Sequence, residues 1–201
     1  MSQTSRFLVV EGIDGCGKST QAARLAERLD AVLTFEMGAT ALGRAVRELV
    51  LGHDTHPSDM AEALLIAADR AQHMAEVVEP ALAAGRHVVS DRHAASTLAY
   101  QGWGRGLPLE DLLILVELAT GGRRPDLTIL LDLPVEVAEA RRAGAADRME
   151  SNQEGFFGRV RAGYLAQAAA APDEWVVLDA TRSPEAVSAD IDQVLEARGW
   201  R

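Results

Sequence analysis

A glycine-rich turn between a strand pattern and a helix pattern constrains the fold of this chain more than any other feature. Residues 6–10, an arginine and four apolar residues, have the length of a buried strand, and residues 19–29 repeat their apolar side chains with the period of a helix. Residues 12–17 join the two patterns and include three glycines. This order of strand, turn and helix predicts a parallel sheet that is covered by helices.

The alternation of strands and helices continues along the chain. The residue pattern predicts further strands at 31–35, 87–90, 127–132 and 175–179, and further helices at 43–51, 59–84, 109–119, 135–142, 154–171 and 184–197. We therefore expect an α/β fold with a parallel sheet of about five strands and helices on both faces. Residues 101–108 and 143–153 have weak periodicity and many small or charged side chains, so we expect mobile active-site loops there.

Length and composition limit the class of protein. The 201 residues fit a single domain, 1–201. The formal net charge of −10 argues against nucleic acid or an anionic membrane as a partner, since both attract surplus lysine and arginine. No apolar run approaches the roughly 18 residues of a membrane span, and no export signal is visible. The single cysteine, Cys16, cannot form an internal disulfide, so a reducing cytoplasm is expected.

Residues 12–19 match the phosphate-binding pattern G-x-x-x-x-G-K-S/T, in the strand-to-helix context that this pattern requires. Lys18 is the only lysine among 20 basic residues, which makes a chance match improbable. Glycines allow backbone N–H groups to surround phosphate oxygens, Lys18 reaches the β and γ phosphates, and the Ser19 hydroxyl can bind Mg²⁺. We therefore predict that ATP with Mg²⁺ is bound by Gly12, Ile13, Asp14, Gly15, Cys16, Gly17, Lys18, Ser19 and Thr20.

An ordered set of further motifs resembles the thymidylate kinase family. Residues 11–20 are similar to that family's E-G-x-D-G-x-G-K-S/T-T, residues 67–73 to A-x-D-R-A-Q-H, and residues 90–93 and 96–102 to S-D-R-Y/H and S-x-x-A-Y-Q-G. Shorter matches follow at residues 124–128, 131–132, 147–150 and 159–165. The resemblance implies a three-layer P-loop kinase fold and the transfer of the γ-phosphoryl group of ATP to dTMP, giving dTDP and ADP in dTTP synthesis.

The resemblance also implies how the acceptor nucleotide is held. Arg92 and Arg70 would clamp its monophosphate through bidentate hydrogen bonds. Asp14 would meet the sugar 3′-hydroxyl or the arginines around the transferred phosphoryl group, and Tyr100 would lie against C2′ of the sugar. The implied acceptor-binding residues are Asp14, Phe35, Glu36, Ile66, Arg70, Arg92, Ser96, Thr97, Tyr100 and Gln101.

A metal site and a lid are implied as well. Asp91 follows a strand whose carboxyl end faces the ligands of an open α/β sheet, and with Ser19 it would hold Mg²⁺. Residues 142–153 resemble the family's lid. Members of the family carry a basic side chain either inside the phosphate-binding loop or in the lid. Because residues 13–16 contain none, the resemblance implies that the lid supplies the positive charge at the transferred phosphoryl group. Arg148 is the first candidate, with Arg142 and Arg141 behind it, so the predicted catalytic residues are Lys18, Arg148, Asp14, Arg92 and Arg142.

Departures from the family pattern concern the acceptor pocket. Phe35 and Met37 replace a cation and a proline after the second strand, and Ile66 replaces the phenylalanine on which the thymine ring stacks. They leave open an alternative in which the same chemistry acts on dUMP or a 5-substituted dUMP. A nucleotide-binding regulator without turnover is a second alternative. The family is typically homodimeric, so a homodimer is also expected.

Overall fold

The computed structural model describes residues 5–52, 54–142 and 155–200. Its strands are β1 Phe7–Glu11, β2 Val32–Phe35, β3 Val88–Asp91, β4 Leu127–Asp132 and β5 Trp175–Asp179. In this part of the chain they form one parallel sheet in the order β2-β3-β1-β4-β5. The predicted α/β fold with five parallel strands is confirmed.

Helices connect the strands throughout the described ranges. They are α1 Lys18–Leu29, α2 Ala41–Leu51, α3 Asp59–His73, α4 Glu79–Ala83, α5 Ala94–Thr97, α6 Leu109–Thr120, α7 Val135–Arg142, α8 Phe156–Ala170 and α9 Pro184–Ala197. A π-helical turn at Met74–Val78 joins α3 to α4, which confirms the long helical stretch expected at residues 59–84. Among the described helices, none is both long enough and apolar enough to cross a bilayer.

The two faces of the sheet carry separate parts of the core. Leu8 and Val10 of β1 belong to a large buried cluster to which α1, α8 and α9 contribute. Phe7 and Val9 belong to a smaller cluster with residues that include Val88 and the π-helical turn after α3. Alternate residues of a strand point to opposite faces, so β1 is buried from both sides. The central position of this strand fixes the loop that follows it.

The strand register brings several loops to one edge of the sheet. β3 pairs Asp91 with Val10 of β1 and with Phe35 of β2. The residues that follow these strands, among them Gly12, Glu36 and Arg92, therefore leave the sheet side by side. In open parallel sheets, ligands bind at this carboxyl edge. The fold thus places the predicted ATP and acceptor residues at one location.

One expected loop is partly helical. Leu98–Gly104 forms a π-helical turn directly after α5, so residues 101–104 are not an irregular loop. The glycines that suggested mobility allow close packing instead: a Cβ at Gly102 would lie 2.5 Å from the Leu109 side chain, and one at Gly104 would lie 2.6 Å from the Phe156 ring. The other expected loop, residues 143–153, lies outside the described residues.

We predict that Gly163→Ala destabilises the protein while Gly158→Ala does not, although both glycines lie in α8. A Cβ at Gly163 would come within 2.6 Å of the Trp103 side chain, whereas one at Gly158 would have no atom within 4 Å. Overpacking should cost Gly163→Ala about 1–3 kcal/mol, and the better helix former should stabilise Gly158→Ala by about 0.5–1 kcal/mol. Urea unfolding measures both changes. Equal effects of the two substitutions would contradict this packing.

Candidate active site

The phosphate-binding loop has the backbone that its glycines permit. Gly12, Gly15 and Gly17 have positive φ angles of 144°, 87° and 94°. A Cβ at Gly12 would lie 2.6 Å from the Leu131 carbonyl oxygen, so no larger residue fits there. Because α1 begins at Lys18, its unpaired N–H groups add partial positive charge next to the loop. The loop has the form and the polarity of an anion site.

Lys18 lies across its own loop. Its Nζ donates to the carbonyl oxygen of Ile13 at 3.0 Å and lies 3.6 Å from the Asp14 carboxylate. The side chain is buried, and Cys16 Sγ is 3.9 Å from Nζ. Burial raises the pKa of the Cys16 thiol despite the nearby Lys18 and Arg92 cations. Cys16 is therefore a neutral, small residue in a tight loop, and the ammonium of Lys18 is the charged group available to phosphate.

Ser19 and Asp91 fit a magnesium site. Ser19 Oγ donates to Asp91 Oδ2 at 2.5 Å, so the hydroxyl and the carboxylate share one location at the cleft. Asp91 Oδ1 is buried and has no hydrogen-bond partner among the residues that the structure describes. An unpaired buried carboxylate oxygen is costly unless a ligand meets it, and oxygen donors are what Mg²⁺ prefers. No cluster of three or more His, Cys, Asp or Glu side chains with metal-site geometry occurs in the described ranges, so protein ligands here would be few.

Arg92 is held at both ends of its guanidinium group. Its Nη2 donates to Asp14 at 2.5 Å and to the Tyr100 hydroxyl at 3.0 Å, and its Nη1 donates to Ser96 at 3.1 Å and to the Tyr164 hydroxyl at 3.2 Å. The backbone of Arg92 has a φ of 72°, in the left-handed region that costs a non-glycine residue about 1–2 kcal/mol. These contacts stabilise a conformation that the backbone disfavours.

Asp14 joins the phosphate-binding loop to Arg92. Burial on its own raises the pKa of Asp14, but Arg92 and then Lys18 outweigh it, so the pKa of this carboxyl lies well below its ordinary value. Tyr100 also donates its hydroxyl proton to Asp14, at 2.9 Å. Asp14 is therefore ionised at neutral pH and unsuited to act as an acid; its role is to orient cations.

Arg70 is bound by the protein more extensively than the sequence predicts. Its Nε donates to Glu36 at 2.9 Å, its Nη1 to Thr97 at 2.9 Å and its Nη2 to the His93 carbonyl oxygen at 3.1 Å. We expected Arg70 and Arg92 to clamp one phosphate together. All three guanidinium nitrogens of Arg70 contact protein groups, which leaves at most two of its five N–H groups for a ligand, and the joint clamp stays a prediction. Arg70 is a buried part of the cavity wall.

Two connected pockets make up the site. A cavity of about 140 Å³ is lined by Asp14, Glu36, Met37, Arg47, Leu51, Ile66, Arg70, Arg92, His93, Ser96, Thr97, Tyr100 and Gln101. A cleft of about 820 Å³ runs along the phosphate-binding loop and is lined by Asp14, Gly15, Gly17, Lys18, Ser19, Thr20, Ala22, Leu33, Thr34, Phe35, Glu36, Gly38, Arg44, Arg47, Asp91, Arg92 and Arg141. Four residues line both pockets: Asp14, Glu36, Arg47 and Arg92. The cavity gathers nine of the ten predicted acceptor residues.

Phe35 is the predicted acceptor residue that lies elsewhere. It lines the cleft and is 46% exposed, whereas Met37 lines the cavity with Ile66. Side chains alternate along β2, with Thr34 buried and Phe35 exposed, and the chain leaves the sheet before Met37. The expectation that Phe35 faces the same pocket as Ile66 therefore needs correction, and Met37 supplies the apolar contact.

Gln101 has a fixed orientation at the cavity. Its amide nitrogen donates to the Glu62 carboxylate at 2.9 Å, and Glu62 also pairs with Arg105 at 3.2 Å. Because an ionised carboxylate accepts hydrogen bonds only, the amide NH₂ group has to face Glu62. The carbonyl oxygen of Gln101 therefore faces away from Glu62, toward the cavity that this residue lines.

Sequence reasoning missed several residues of the site. Arg47 and Leu51 of α2 line the cavity, and their i, i+4 spacing on a helix was the signal available. A third pocket, of about 300 Å³, lies beside the phosphate-binding loop; its walls include Arg141, Ala180 and Arg182. Of the predicted lid arginines, only Arg141 has a described side chain. The Arg142 side chain and the whole of Arg148 lie outside the described part of the structure.

Comparisons with known proteins agree with this geometry. The family model described as Thymidylate kinase matches residues 10–191. The thymidylate kinase of Neisseria gonorrhoeae (strain NCCP11945) is 48% identical over 198 residues, covering 95% of this chain and 96% of that protein. The one from Synechococcus sp. (strain JA-2-3B'a(2-13)) is 51% identical over 197 residues, covering 96% and 95%. The crystal structure of thymidylate kinase from Ehrlichia chaffeensis superposes with a TM-score of 0.79 at 30% identity, over 95% of this chain and 98% of that one.

We predict that Glu36→Gln destabilises the fold strongly at neutral pH. Glu36 is buried and contacts Arg70 at 2.9 Å, His73 at 2.9 Å and His93 at 3.0 Å. Removing its charge leaves the buried Arg70 without its counterion, which should lower the free energy of unfolding by about 3 kcal/mol or more. Glu79→Gln, which breaks the exposed pair with Arg123, is the matched control and should cost about 1 kcal/mol or less. Urea unfolding at pH 7 measures both.

We also predict that the Glu36 effect diminishes in acid. Burial on its own raises the pKa of Glu36, but Arg70 and the two histidines outweigh it and hold the pKa well below its ordinary value. A carboxyl whose pKa is lower in the folded state adds stability above its unfolded pKa and loses it as the pH falls toward the folded pKa. The gap between wild type and Glu36→Gln should narrow as the pH falls below about 4, where the unfolded carboxyl is protonated. A gap that widens in acid would contradict this assignment.

Proposed function

This chain belongs to the thymidylate kinase family and transfers the γ-phosphoryl group of ATP to dTMP, and we propose that the transfer takes place beside Asp14 and Arg92. The supporting observation is that Asp14 contacts both Arg92, which lines the acceptor cavity, and Lys18, which lines the phosphate cleft. A donor phosphate in the cleft and an acceptor phosphate at the cavity mouth would meet there. The reaction needs this alignment more than it needs covalent help from the protein.

ATP occupies the cleft in this proposal. Backbone N–H groups of residues 12–20 and the Lys18 ammonium bind its β and γ phosphates, and Ser19 and Asp91 hold Mg²⁺. A Mg²⁺ ion held there would supply positive charge to the phosphates. The adenosine lies toward the third pocket, where Arg141 and Arg182 stand beside the loop. Lys18 has to exchange its contact with the Ile13 carbonyl oxygen for phosphate.

dTMP occupies the cavity, with its 5′-phosphate on Arg92 and its base between Ile66 and the polar wall. Thymine presents O4 as an acceptor and N3–H as a donor. Arg70 supplies N–H donors for O4, and Gln101 supplies a carbonyl acceptor for N3–H. Cytosine has an amino donor and a ring-nitrogen acceptor at these two positions, so it could form neither hydrogen bond. Tyr100 packs near the sugar, where its hydroxyl is bound by Asp14 and Arg92. Met37, Leu51 and Ile66 contribute dispersion in place of aromatic stacking.

The positive charge at the transferred phosphoryl group comes from the lid in this proposal. Residues 13–16 of the phosphate-binding loop have no basic side chain, so Lys18 alone would have to neutralise both the β and the γ phosphate. Arg148 supplies the missing charge, with Arg142 as its neighbour, while the described Arg141 lines the cleft from α7. An arginine suits this role because its guanidinium group binds two phosphate oxygens at once.

We further propose that two chains associate through α3 and α6. These helices pack against each other and expose large apolar side chains: Leu64 is 51% exposed, Leu113 53%, Ile114 60% and Leu118 74%. Contiguous apolar surface of this kind marks an interaction site in soluble proteins. A second copy of the chain is the occupant, in keeping with the family resemblance.

The cytoplasm is the compartment that we propose. Cys16 is a free thiol within the phosphate-binding loop, and its oxidation would add bulk beside Lys18. A reducing compartment protects such a loop. Cell fractionation that recovers the protein from an exported or membrane fraction would contradict this placement.

We predict that ADP formation with Mg·ATP follows the order dTMP, dUMP, dCMP, and that Lys18→Ala abolishes it. Loss of one buried methyl group should lower kcat/KM by about tenfold or more, and the reversed base edge of dCMP should lower it by at least about a hundredfold. Lys18→Ala should lower kcat by at least about a hundredfold with an unchanged melting temperature. A variant that retains more than about a tenth of the rate would contradict the ATP site, and equal use of dCMP would contradict the base contacts.

Arg148→Ala should lower kcat by at least about a hundredfold with a smaller change in KM, because the contact forms in the transition state. Arg123→Ala is the matched control, since Arg123 pairs with Glu79 away from both pockets. Steady-state kinetics on the two variants make the comparison. If KM rose and kcat did not change, Arg148 would bind the ground state and another residue would have to supply the charge.

The dimer proposal predicts that Ile114→Glu produces monomers. The free-energy penalty of burying an unpaired carboxylate in the interface is larger than the stabilisation that this apolar interface provides. Sedimentation should show the wild type at twice the chain mass of 21.5 kDa and the variant at the chain mass. Val177→Glu, at an exposed position of the edge strand β5, should remain dimeric. A monomeric wild type would rule the proposal out.

A further inference from the structure

Glu11 is a buried carboxylate beneath the acceptor site. It is the last residue of β1 and is fully buried. Its Oε1 accepts the backbone N–H of His93 at 2.8 Å. Its Oε2 accepts the hydroxyls of Ser96 at 2.8 Å and of Tyr164 at 2.9 Å. A single carboxylate therefore connects the central strand, the segment after β3 and α8.

The direction of these hydrogen bonds has a consequence for Arg92. Each hydroxyl has one proton, and both protons go to Glu11 because a carboxylate is the strongest acceptor available, although the two hydroxyl oxygens also lie 2.8 Å apart. Their lone pairs are then free to accept from Arg92 Nη1, at 3.1 Å from Ser96 and 3.2 Å from Tyr164. Glu11 thus sets the polarity of the groups that hold one end of this guanidinium.

We propose that Glu11 is a positioning residue for the acceptor phosphate, acting through Ser96 and Tyr164 on the guanidinium of Arg92. The inference rests on the proposed function, in which Arg92 binds the 5′-phosphate of dTMP. Asp14 and Tyr100 fix Nη2 of Arg92 from the cleft side, and the two hydroxyls fix Nη1 from the opposite side. Four of the five N–H groups of Arg92 are engaged in this way, so the guanidinium presents its Nε–H and its positive charge to the phosphate in one orientation, as pre-organised binding requires.

The fold alone gives no reason for a carboxylate at this position. The four residues before Glu11 in β1 are apolar and buried. Burying a carboxylate is costly, and burial raises the pKa of Glu11 even though Arg92 and three hydrogen bonds oppose that shift. A buried carboxylate at the end of an apolar strand is costly, and two of the three hydrogen bonds that Glu11 accepts come from hydroxyls that contact Arg92, so we assign it a role in the site.

Glu11→Gln separates this role from simple packing, because it keeps the size of the side chain and changes its polarity. If the amide oxygen accepts the His93 N–H, the NH₂ group faces both hydroxyls and turns their protons toward Arg92. If the amide is flipped, its NH₂ group faces the His93 N–H, and these two donors cannot form a hydrogen bond. Either orientation loses at least one of the three hydrogen bonds, because the His93 N–H and the two hydroxyls need two accepting oxygens and an amide has one.

The test compares binding of dTMP with binding of thymidine, which has the same base and sugar and no 5′-phosphate. Calorimetry on Glu11→Gln should show dTMP weakened by at least about tenfold and thymidine changed by less than about twofold. Tyr164→Phe keeps the ring in the core and should give a smaller loss in the same direction. The double variant should lose less than the product of the two single losses, because both act through Arg92. Asp126→Asn is the matched control, because it makes the same acid-to-amide change beside the other end of β1, where Asp126 accepts the Phe7 N–H at 2.7 Å. It should leave the affinities for dTMP and thymidine unchanged.

Arg92→Ala distinguishes a failure of this inference from a failure of the proposed function. If Arg92→Ala leaves dTMP affinity unchanged, the assignment of the phosphate to Arg92 is wrong. If Arg92→Ala weakens dTMP but folded Glu11→Gln does not, or weakens thymidine equally, the positioning role of Glu11 is wrong. Should Glu11→Gln fail to fold, Tyr164→Phe carries the test, and unchanged dTMP affinity in that variant overturns the inference.

Discussion

The ion pair between Asp14 and Arg92 is the contact on which the rest of the site depends. It joins the phosphate-binding loop after β1 to the segment after β3, and the register that pairs Val10 with Asp91 brings those two loops together. Lys18 lies 3.6 Å from the same Asp14 carboxylate, so one anion contacts both cations that we propose for the donor and the acceptor phosphate. A displacement of either loop would separate the two phosphates that have to react.

Buried carboxylates hold the two arginines of the acceptor cavity, and they do so in different ways. Glu36 contacts Arg70 directly, while Glu11 reaches Arg92 through two hydroxyls. Both arrangements fix the orientation of a guanidinium in the structure without a ligand. Orienting charges before the substrate arrives is the chief means by which a site of this kind lowers the barrier to phosphoryl transfer. This orientation requires buried charges, and the fold has to provide each of them with hydrogen-bond partners or a counterion.

Much of the fold and of the ATP side could be predicted from sequence, because both depend on local pattern. The alternating strands and helices gave the sheet, and the residues at 12–20 gave the loop whose glycines have the positive φ angles that a phosphate cradle needs. The acceptor side was harder. Whether Phe35 or Met37 faces the cavity depends on where β2 ends, which alternation alone does not specify. The contacts of Arg70 depend on Glu36 and Thr97, which are distant in sequence. Gly102 and Gly104 suggested a loop, yet they permit close helix packing, and composition does not distinguish the two uses.

A double-substitution cycle on Asp14 and Arg92 tests the central claim most directly. Values of kcat/KM for dTMP at saturating Mg·ATP would be measured for Asp14→Asn, Arg92→Lys and the double variant. If the pair acts as one unit, the double variant should lie within about threefold of the slower single variant, because the first substitution already breaks the contact. If the two losses multiply, the residues act independently, and the view that their contact aligns the donor and acceptor phosphates is contradicted.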